Sequence, residues 1–166
     1  MASRQGFCRI RRPRPAEWRA VTRLVLRSKA HWGYPGSFLA HFAPGMVVGP
    51  RTLARGDCWV AARGRCLLGF VARRRGRLDD LFVAPEAMGR GLGGRLLALA
   101  RRGGLAAGHR CLTLDADPYA TGFYRRHGAR LVGWRPSPWP GDPGRRLPRM
   151  RLPPANASSP LPARGR

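Results

Sequence analysis

A glycine-rich turn between a short apolar strand and an amphipathic helix carries the clearest chemical signal in this chain. The stretch covers residues 78–99 (LDDLFVAPEAMGRGLGGRLLAL), and the glycine turn itself, residues 89–93, reads GRGLG. The first N–H groups of a helix have no intrahelical partner, and the helix dipole adds partial positive charge there. Because glycines also let a ligand approach the backbone closely, the pattern predicts a phosphate-binding site.

Two other phosphate-binding patterns fit these glycines less well. Gly89, Gly91 and Gly94 have the GxGxxG spacing of dinucleotide-binding proteins, in which the motif follows the first strand of a βαβ unit. Here the preceding strand is the fourth, and the acidic Asp115 arrives within another strand. The P-loop pattern is absent, because no Gly-Lys-Ser/Thr occurs in the chain. A turn with a purely structural role is the remaining alternative.

A second motif lies downstream, in residues 117–128 (DPYATGFYRRHG). Asp117 followed by Pro118 is typical of an N-cap and a first helical position, and Gly128 is typical of a helix end. The predicted helix between them carries Ala120, Phe123 and Tyr124. The second motif therefore predicts a short capped helix that follows a buried strand.

Together the two motifs closely resemble those of the GNAT superfamily of N-acetyltransferases. Members have a strand ending in Val-x-Pro and then Gln/Arg-x-x-Gly-x-Gly/Ala at a helix start, matched here by residues 83–85 (VAP) and 88–93 (MGRGLG). The second family signature, Asn/Asp-Pro-x-Ala-x-x-Phe-Tyr-x-x-x-Gly, is matched by residues 117–128. The resemblance covers residues 7–152 and implies an N-acetyltransferase that uses acetyl-CoA.

The resemblance also implies where acetyl-CoA binds. Its pyrophosphate would lie on the amides of the glycine turn, and its pantetheine arm would run beside the preceding strand like an added strand. The cofactor-binding residues implied are Leu81, Phe82, Val83, Met88, Gly89, Arg90, Gly91, Leu92, Gly93 and Tyr119. Two of them depart from the family pattern: Met88 replaces a polar or basic residue, and Tyr119 replaces an asparagine found in many relatives. For Met88 we expect weakened rather than lost binding, because the phosphate contacts are mainly with backbone. Tyr119 removes an amide that could bond the pantetheine arm.

Acetyl transfer from a thioester needs a neutral amine, a hydrogen-bond donor for the oxyanion, and protonation of the departing thiolate. The resemblance assigns the proton donor to Tyr124, for which packing beside Phe123 is the structural alternative. It assigns the oxyanion donor to a backbone N–H near Val83. Direct transfer to a primary amine is the predicted reaction.

The base that accepts the amine proton is predicted from strand geometry. Side chains alternate along a strand, so Asp79 and Asp80 should point to opposite faces. We expect Asp79 to face the site, because it shares a face with Leu81 and Val83. The alternatives are that Asp79 pairs with an arginine at the surface, and that His31 is the base.

The loop after the first helix usually shapes the acceptor pocket in this superfamily. In the segment 28–34 (SKAHWGY), which together with residues 144–150 is similar to one bacterial branch, the predicted acceptor-binding residues are His31, Trp32 and Tyr34. Packing over the sheet edge is the alternative for them. Structural or surface roles are expected for four further residues, namely Asp115, Asp117, His109 and His127. No metal site is predicted.

The net charge is extreme, with 32 Lys+Arg against 8 Asp+Glu in 166 residues, or +24. The arginines are spread along the chain without a long basic helix, which favours drift in composition over specific nucleic-acid binding. A positive enzyme repels polycations, so a small-molecule amine that also carries a carboxylate or phosphate is the expected acceptor. The alternatives are a GNAT-like module that binds acyl-CoA without turnover and an arginine-driven nucleic-acid binder.

Hydrophobic periodicity predicts the elements that position these residues. Their order is strand, two helices, three strands, helix, strand, helix and last strands. The predicted fold is mixed α/β, with a mostly antiparallel central sheet of six to seven strands flanked by about four helices. The helix from Gly91 is expected to end early or bend at Gly103 and Gly104, since each glycine costs about 1 kcal/mol in a helix.

The chain length favours a single domain over residues 1–152, followed by a disordered tail over residues 153–166. No secretory signal or long apolar span is evident, so a cytoplasmic location without a membrane partner is predicted. The sequence is compatible with a homodimer. The four cysteines, Cys8, Cys58, Cys66 and Cys111, contain no CxxC pair and are interpreted as small buried residues in a reducing compartment.

Overall fold

The computed structural model describes residues 8–55 and 57–154, and these form a seven-stranded sheet in the order β1-β2-β3-β4-β5-β7-β6. The strands are β1 (Arg9–Arg11), β2 (Cys58–Arg63), β3 (Cys66–Arg74), β4 (Arg77–Val83), β5 (Leu112–Asp115), β6 (Arg130–Pro136) and β7 (Arg146–Leu152). The α-helices are α1 (Trp18–Ala30), α2 (Gly36–Phe42), α3 (Pro50–Ala54), α4 (Leu92–Ala106) and α5 (Thr121–Arg126). Neighbouring strands are antiparallel except β4 and β5, which are parallel. The predicted α/β class with a mostly antiparallel sheet is confirmed.

The centre of the sheet is covered on both faces. Strand β3 is buried at six consecutive positions, Leu68–Arg73, as expected of a strand without a solvent-facing side. Helices α1 and α4 both pack on β3 and β4. In α1 the residues Val21, Leu24 and Val25, which recur at helical spacing, are fully buried. This packing fixes the strand β4 that enters the candidate site.

The sequence predicted that helix α4 would end early or bend at Gly103 and Gly104. The helix continues past both glycines to Ala106, so the prediction of an early end is wrong. A Cβ on Gly103 would lie 3.0 Å from Trp59, and one on Gly104 would lie 2.9 Å from Leu112. The absent side chains therefore let α4 approach the sheet closely. Contact with the sheet compensates for the low helix propensity of glycine.

Strands β4 and β5 separate toward their C-terminal ends. Among the described residues their register contains the single pair Arg77–Thr113. Asp115, at the end of β5, pairs with β7 on the other side of the strand and has no partner among the described residues of β4. Because β4 loses its neighbour on this side, the backbone of its last residues is left beside an open space.

A β-bulge interrupts β4 at the two carboxylates. Asp80 pairs with Ala72 on β3 and Leu78 pairs with Arg73, so Asp79 is the extra residue between them. A bulge breaks the alternation of side chains, and Asp79 and Asp80 line the same small cavity of about 280 Å³. The bulge therefore removes the strict alternation from which Asp79 and Asp80 were assigned to opposite faces.

Some predictions of local structure need correction. Helix α3 was not predicted. The sequence predicts a first strand over residues 7–11, of which Phe7 lies outside the described residues. All four cysteines are free, but Cys66 is exposed and Cys8 and Cys111 are half-buried, so only Cys58 is buried as expected. Most of the predicted tail, residues 155–166, lies outside the described residues. No helix within residues 8–55 and 57–154 is long and apolar enough to cross a membrane.

Candidate functional site

A cavity of about 680 Å³ opens where β4 and β5 separate, between the start of α4, helix α5 and the end of α1. It brings together most of the site residues that the sequence predicted. Those that line it are Trp32, Asp79, Leu81, Phe82, Val83, Met88, Gly89, Gly91, Leu92, Gly93, Tyr119 and Tyr124. Arg90, His31 and Tyr34 are not among its lining residues.

The glycine turn has the backbone conformation that its sequence implies. Gly89 and Gly91 have φ angles of +72° and +73°, in the left-handed region that side chains rarely adopt. The first backbone hydrogen bond of α4 runs from the N–H of Arg95 to the carbonyl of Gly91, at 3.2 Å. The N–H groups before Arg95 are therefore left for a ligand, next to the positive end of the helix dipole.

Tyr124 lies on α5 at the wall of the cavity. Its side chain is buried, at 7% exposure, and its ring packs edge-on to Phe123 at 5.1 Å. Burial raises the pKa of the Tyr124 phenol well above its usual value, and the nearby charges of Asp80 and Asp117 raise it further. The phenol therefore keeps its proton throughout the neutral range and is available as a donor.

The two carboxylates at the bulge differ in their surroundings. Asp79 lines the large cavity and forms ion pairs with Arg74 at 3.2 Å and Arg77 at 3.4 Å. Asp80 is half-buried. Its pKa is raised to about 6, mainly by burial and to a smaller extent by the charge of Asp79. A carboxyl that titrates near neutrality suits a proton acceptor. The sequence predicted that Asp80 faces away from the site, and Asp80 lines the small cavity at the bulge but is not among the lining residues of the large one.

The predicted acceptor-binding residues separate into two environments. Trp32 stacks on Tyr119 at 5.5 Å with an interplanar angle of 9°, at the mouth of the cavity. His31 is exposed and packs edge-on to Trp32 at 5.4 Å. Tyr34 is half-buried and stacks on Phe38, with ring centroids 4.1 Å apart. Of the three, only Trp32 lines the cavity.

Behind Tyr34 lies a polar cluster of five residues, Lys29, Tyr34, Asp117, Ser137 and Arg145. Lys29 forms an ion pair with Asp117, and the Tyr34 hydroxyl donates to the other carboxylate oxygen at 2.8 Å. Arg145 donates to the Tyr34 oxygen at 2.9 Å and to the Ser137 hydroxyl at 3.2 Å. Sequence reasoning missed Lys29 and Arg145, although both lie in the two segments that resemble one branch of the superfamily.

The four residues expected to be structural or at the surface give a mixed result. Asp117 caps the turn before α5, as predicted, by accepting the Tyr119 N–H at 3.0 Å. Burial would raise the pKa of Asp115, but hydrogen bonds from Arg149 and Arg77 outweigh it and hold the pKa at about 2. Both histidines are half-buried rather than at the surface, and His127 also lines the cavity.

Comparison with known proteins gives one consistent result. Residues 54–128 match the family described as acetyltransferase (GNAT) domain. The peptidyl-lysine N-acetyltransferase YiaC of Escherichia coli is 32% identical over 130 residues, which is 74% of this chain and 84% of YiaC.

Solved structures show the same fold. A GCN5-related N-acetyltransferase from Rhodopseudomonas palustris aligns with a TM-score of 0.77 at 18% identity, over 92% of this chain and 99% of that one. The PaiA N-acetyltransferase from Thermoplasma acidophilum, solved in complex with coenzyme A, aligns with a TM-score of 0.71 at 15% identity, over 89% and 99%.

Proposed function

The chain belongs to the GNAT superfamily of N-acetyltransferases, and from that premise we propose that it transfers the acetyl group of acetyl-CoA directly to the primary amine of a small molecule. The observation that carries this proposal is the single cavity of about 680 Å³ that joins the glycine turn to Tyr124. The cavity offers phosphate-binding amides at one end and a protonated phenol along its wall.

The residues present fit the donor acetyl-CoA. The left-handed glycines Gly89 and Gly91 have no atoms within 4 Å of the position of a Cβ, so a pyrophosphate can approach their amides. The free edge of β4 at Leu81, Phe82 and Val83 offers backbone groups to an extended pantetheine arm. The coenzyme A bound in the related structure supports the same donor class.

The chain's own side chains supply the proton transfers. Tyr124 donates a proton to the departing thiolate sulfur, since burial keeps its phenol protonated. The amine proton goes to one carboxylate at the bulge, Asp79, which lines the cavity. The alternative acceptor is Asp80, whose pKa of about 6 suits a base but which lines only the small cavity. None of the described residues that line the cavity is a cysteine, which supports direct transfer rather than an acetyl-cysteine intermediate.

Two acceptor classes compete. The name of the E. coli relative favours a lysine side chain of a protein. The charge of this chain, +24, favours a small amine without excess positive charge. We adopt the small amine, because a lysine-rich peptide would meet repulsion from the positively charged surface of the protein.

Amine-dependent release of coenzyme A tests the proposal. Purified protein and acetyl-CoA are incubated with a panel of small primary amines and with lysine peptides, and the acetylated product is identified by mass. Turnover of a small amine is the expected result. Exclusive turnover of peptides would assign the acceptor to proteins instead. Binding of acetyl-CoA without turnover of any amine would favour the module that holds acyl-CoA.

The compartment is inferred from the cysteines. All four are free, and all lie among the described residues. Unpaired thiols are typical of proteins in a reducing environment. We therefore infer a cytoplasmic location.

A further inference from the structure

The polar cluster carries more positive charge than its own carboxylate balances. Lys29 and Arg145 are cations, and Asp117 is the one carboxylate in the cluster. Lys29, Asp117 and Arg145 all line the large cavity. The cluster therefore presents a net positive charge to the same space that Tyr124 and the glycine turn share.

Asp117 is engaged by three other donors and makes no hydrogen bond with Arg145. One oxygen receives the Tyr34 hydroxyl at 2.8 Å and the N–H of Tyr119 at 3.0 Å. The other oxygen is held by Lys29. Lys29 and Asp117 therefore neutralise each other, and Tyr34 is fixed in orientation between Asp117 and the guanidinium.

Arg145 is held by neutral groups alone. Its two recorded side-chain hydrogen bonds go to the Tyr34 oxygen at 2.9 Å and the Ser137 hydroxyl at 3.2 Å. Within residues 8–55 and 57–154 no carboxylate lies at ion-pair distance from it. A guanidinium has five N–H donors in a planar fork, so three N–H groups remain for a further partner. Carboxylates match that fork in both charge and geometry.

The surroundings of Arg145 are aromatic and apolar. The guanidinium lies 4.8 Å from the Phe38 ring centroid and 5.3 Å from that of Tyr34. Phe42, Met46 and Leu147 also line the cavity. Charge interactions are stronger where apolar groups exclude water. A ligand for this place therefore combines an anionic group with a hydrocarbon part.

We propose that Arg145 is the specificity-determining residue for the acceptor and binds its carboxylate, so that the substrates are amino acids or similar amines carrying a carboxylate. This inference rests on the proposed acetyl transfer. Tyr34 and Ser137 position the guanidinium, and the Lys29–Asp117 pair holds Tyr34. The apolar residues of the cavity accept the acceptor's side chain.

The test compares matched acceptors with matched variants. Phenylalanine, leucine and methionine are each paired with the amine that remains after loss of the carboxylate, and an amidated lysine peptide is included. The variants are Arg145→Gln and Arg145→Lys, with Arg146→Gln as the control. Arg146 is exposed and adjacent, and it is not among the cavity-lining residues. The control therefore removes the same charge outside the proposed site.

We expect the wild-type protein to prefer an amino acid over its matched amine by at least about 30-fold in kcat/KM. Arg145→Gln should lower kcat/KM for the amino acid about 100-fold and leave the matched amine within about threefold, because a charge-assisted fork is lost. The kcat/KM of Arg145→Lys for the amino acid should lie between those of the wild type and Arg145→Gln. The kcat/KM of Arg146→Gln should resemble that of the wild type. Equal use of the paired acceptors, equal loss for both in Arg145→Gln, or preference for the peptide would overturn the inference.

A binding measurement separates this inference from the proposed function. The carboxylate 3-phenylpropionate has no amine and cannot be acetylated, so its effect on thermal unfolding does not depend on turnover. Stabilisation that disappears in Arg145→Gln and persists in Arg146→Gln supports the site even if every amine fails as a substrate. Absence of stabilisation in the wild type, or equal stabilisation in all variants, contradicts the site even if acetyl transfer is found.

Discussion

The two ends of the cavity are built in different ways. At the glycine turn, contiguous residues 89–93 form the site with backbone, and two left-handed glycines set its shape. The polar cluster instead gathers side chains from the end of α1, the loop before α2, the turn after β5 and the chain before β7. A site made by local backbone can be identified from a short motif. A site made by distant side chains depends on the whole fold.

Loss of the Tyr124 hydroxyl is the change with the largest expected effect, because the proposed protonation of the departing thiolate depends on it. Tyr124→Phe should lower kcat about 100- to 1000-fold, within the usual range for a general acid. The Km for acetyl-CoA should stay nearly constant, since the glycine turn is untouched. Steady-state kinetics check this, with thermal unfolding to confirm the fold. Unchanged kcat would show that the phenol only packs beside Phe123.

Substitution of Asp80 tests whether the β-bulge takes part in accepting the proton of the acceptor amine. If Asp80 is the base, its pKa of about 6, raised by burial, should make kcat/KM rise with pH and level off above about pH 6. Asp80→Asn should then lower the plateau about 10- to 100-fold and remove that limb of the profile. Asp79→Asn is the comparison, and a larger loss there would assign the role of base to Asp79.

The same carboxyl predicts a stability effect of definite sign. The folded-state pKa of Asp80 lies above its unfolded value, so the folded state holds the proton more tightly and stability falls as pH rises from about 4 to about 6. Above pH 6 the cost is constant. Asp80→Asn should therefore gain stability relative to wild type across this window, measured by denaturant unfolding at several pH values. A constant difference would contradict the assigned burial.

Gly91→Ala tests the backbone end alone. A left-handed φ of +73° costs a residue with a Cβ about 1–2 kcal/mol, and the turn must distort to relieve it. We expect about tenfold weaker acetyl-CoA binding by calorimetry, with kcat at saturation nearly unchanged. Gly64→Ala is the matched control, since Gly64 has a φ of +58° in the β2–β3 hairpin and an equally open Cβ position. Equal weakening in both variants would point to general strain.

Substitution of Met88 has the smallest expected effect. It tests whether the residue type at this position contributes to binding of acetyl-CoA at the glycine turn. Met88→Arg restores a residue type of the family pattern beside the glycine turn. We expect acetyl-CoA affinity to rise about threefold at low salt and less at high salt, because the added charge is screened. Ala106→Arg adds the same charge at the exposed far end of α4. An equal gain from that variant would indicate general attraction of a polyanion.

The comparison explains what the sequence could predict. The sheet, α1 and the glycine turn followed from local periodicity and glycine spacing, and Asp117 was identified as a cap from the neighbouring proline. The bulge at Asp79 was not predictable, because it depends on the register with β3. The partnership of Lys29, Tyr34 and Arg145 was hidden for a similar reason, since these residues meet only after the chain has folded over more than 100 residues. Helix α4 continues beyond Gly103 and Gly104 because the sheet packs against both glycines.

Thermal unfolding with acetyl-CoA, ADP and a short oligonucleotide tests the central claim most directly. A ligand at about 100 times its Kd should add about 2.7 kcal/mol of stability. We predict a shift in Tm that is largest for acetyl-CoA, reduced in Gly91→Ala and retained in Gly64→Ala. Equal shifts from all three ligands, unchanged in Gly91→Ala, would show that the arginine-rich surface binds any polyanion and would contradict a donor site at the glycine turn.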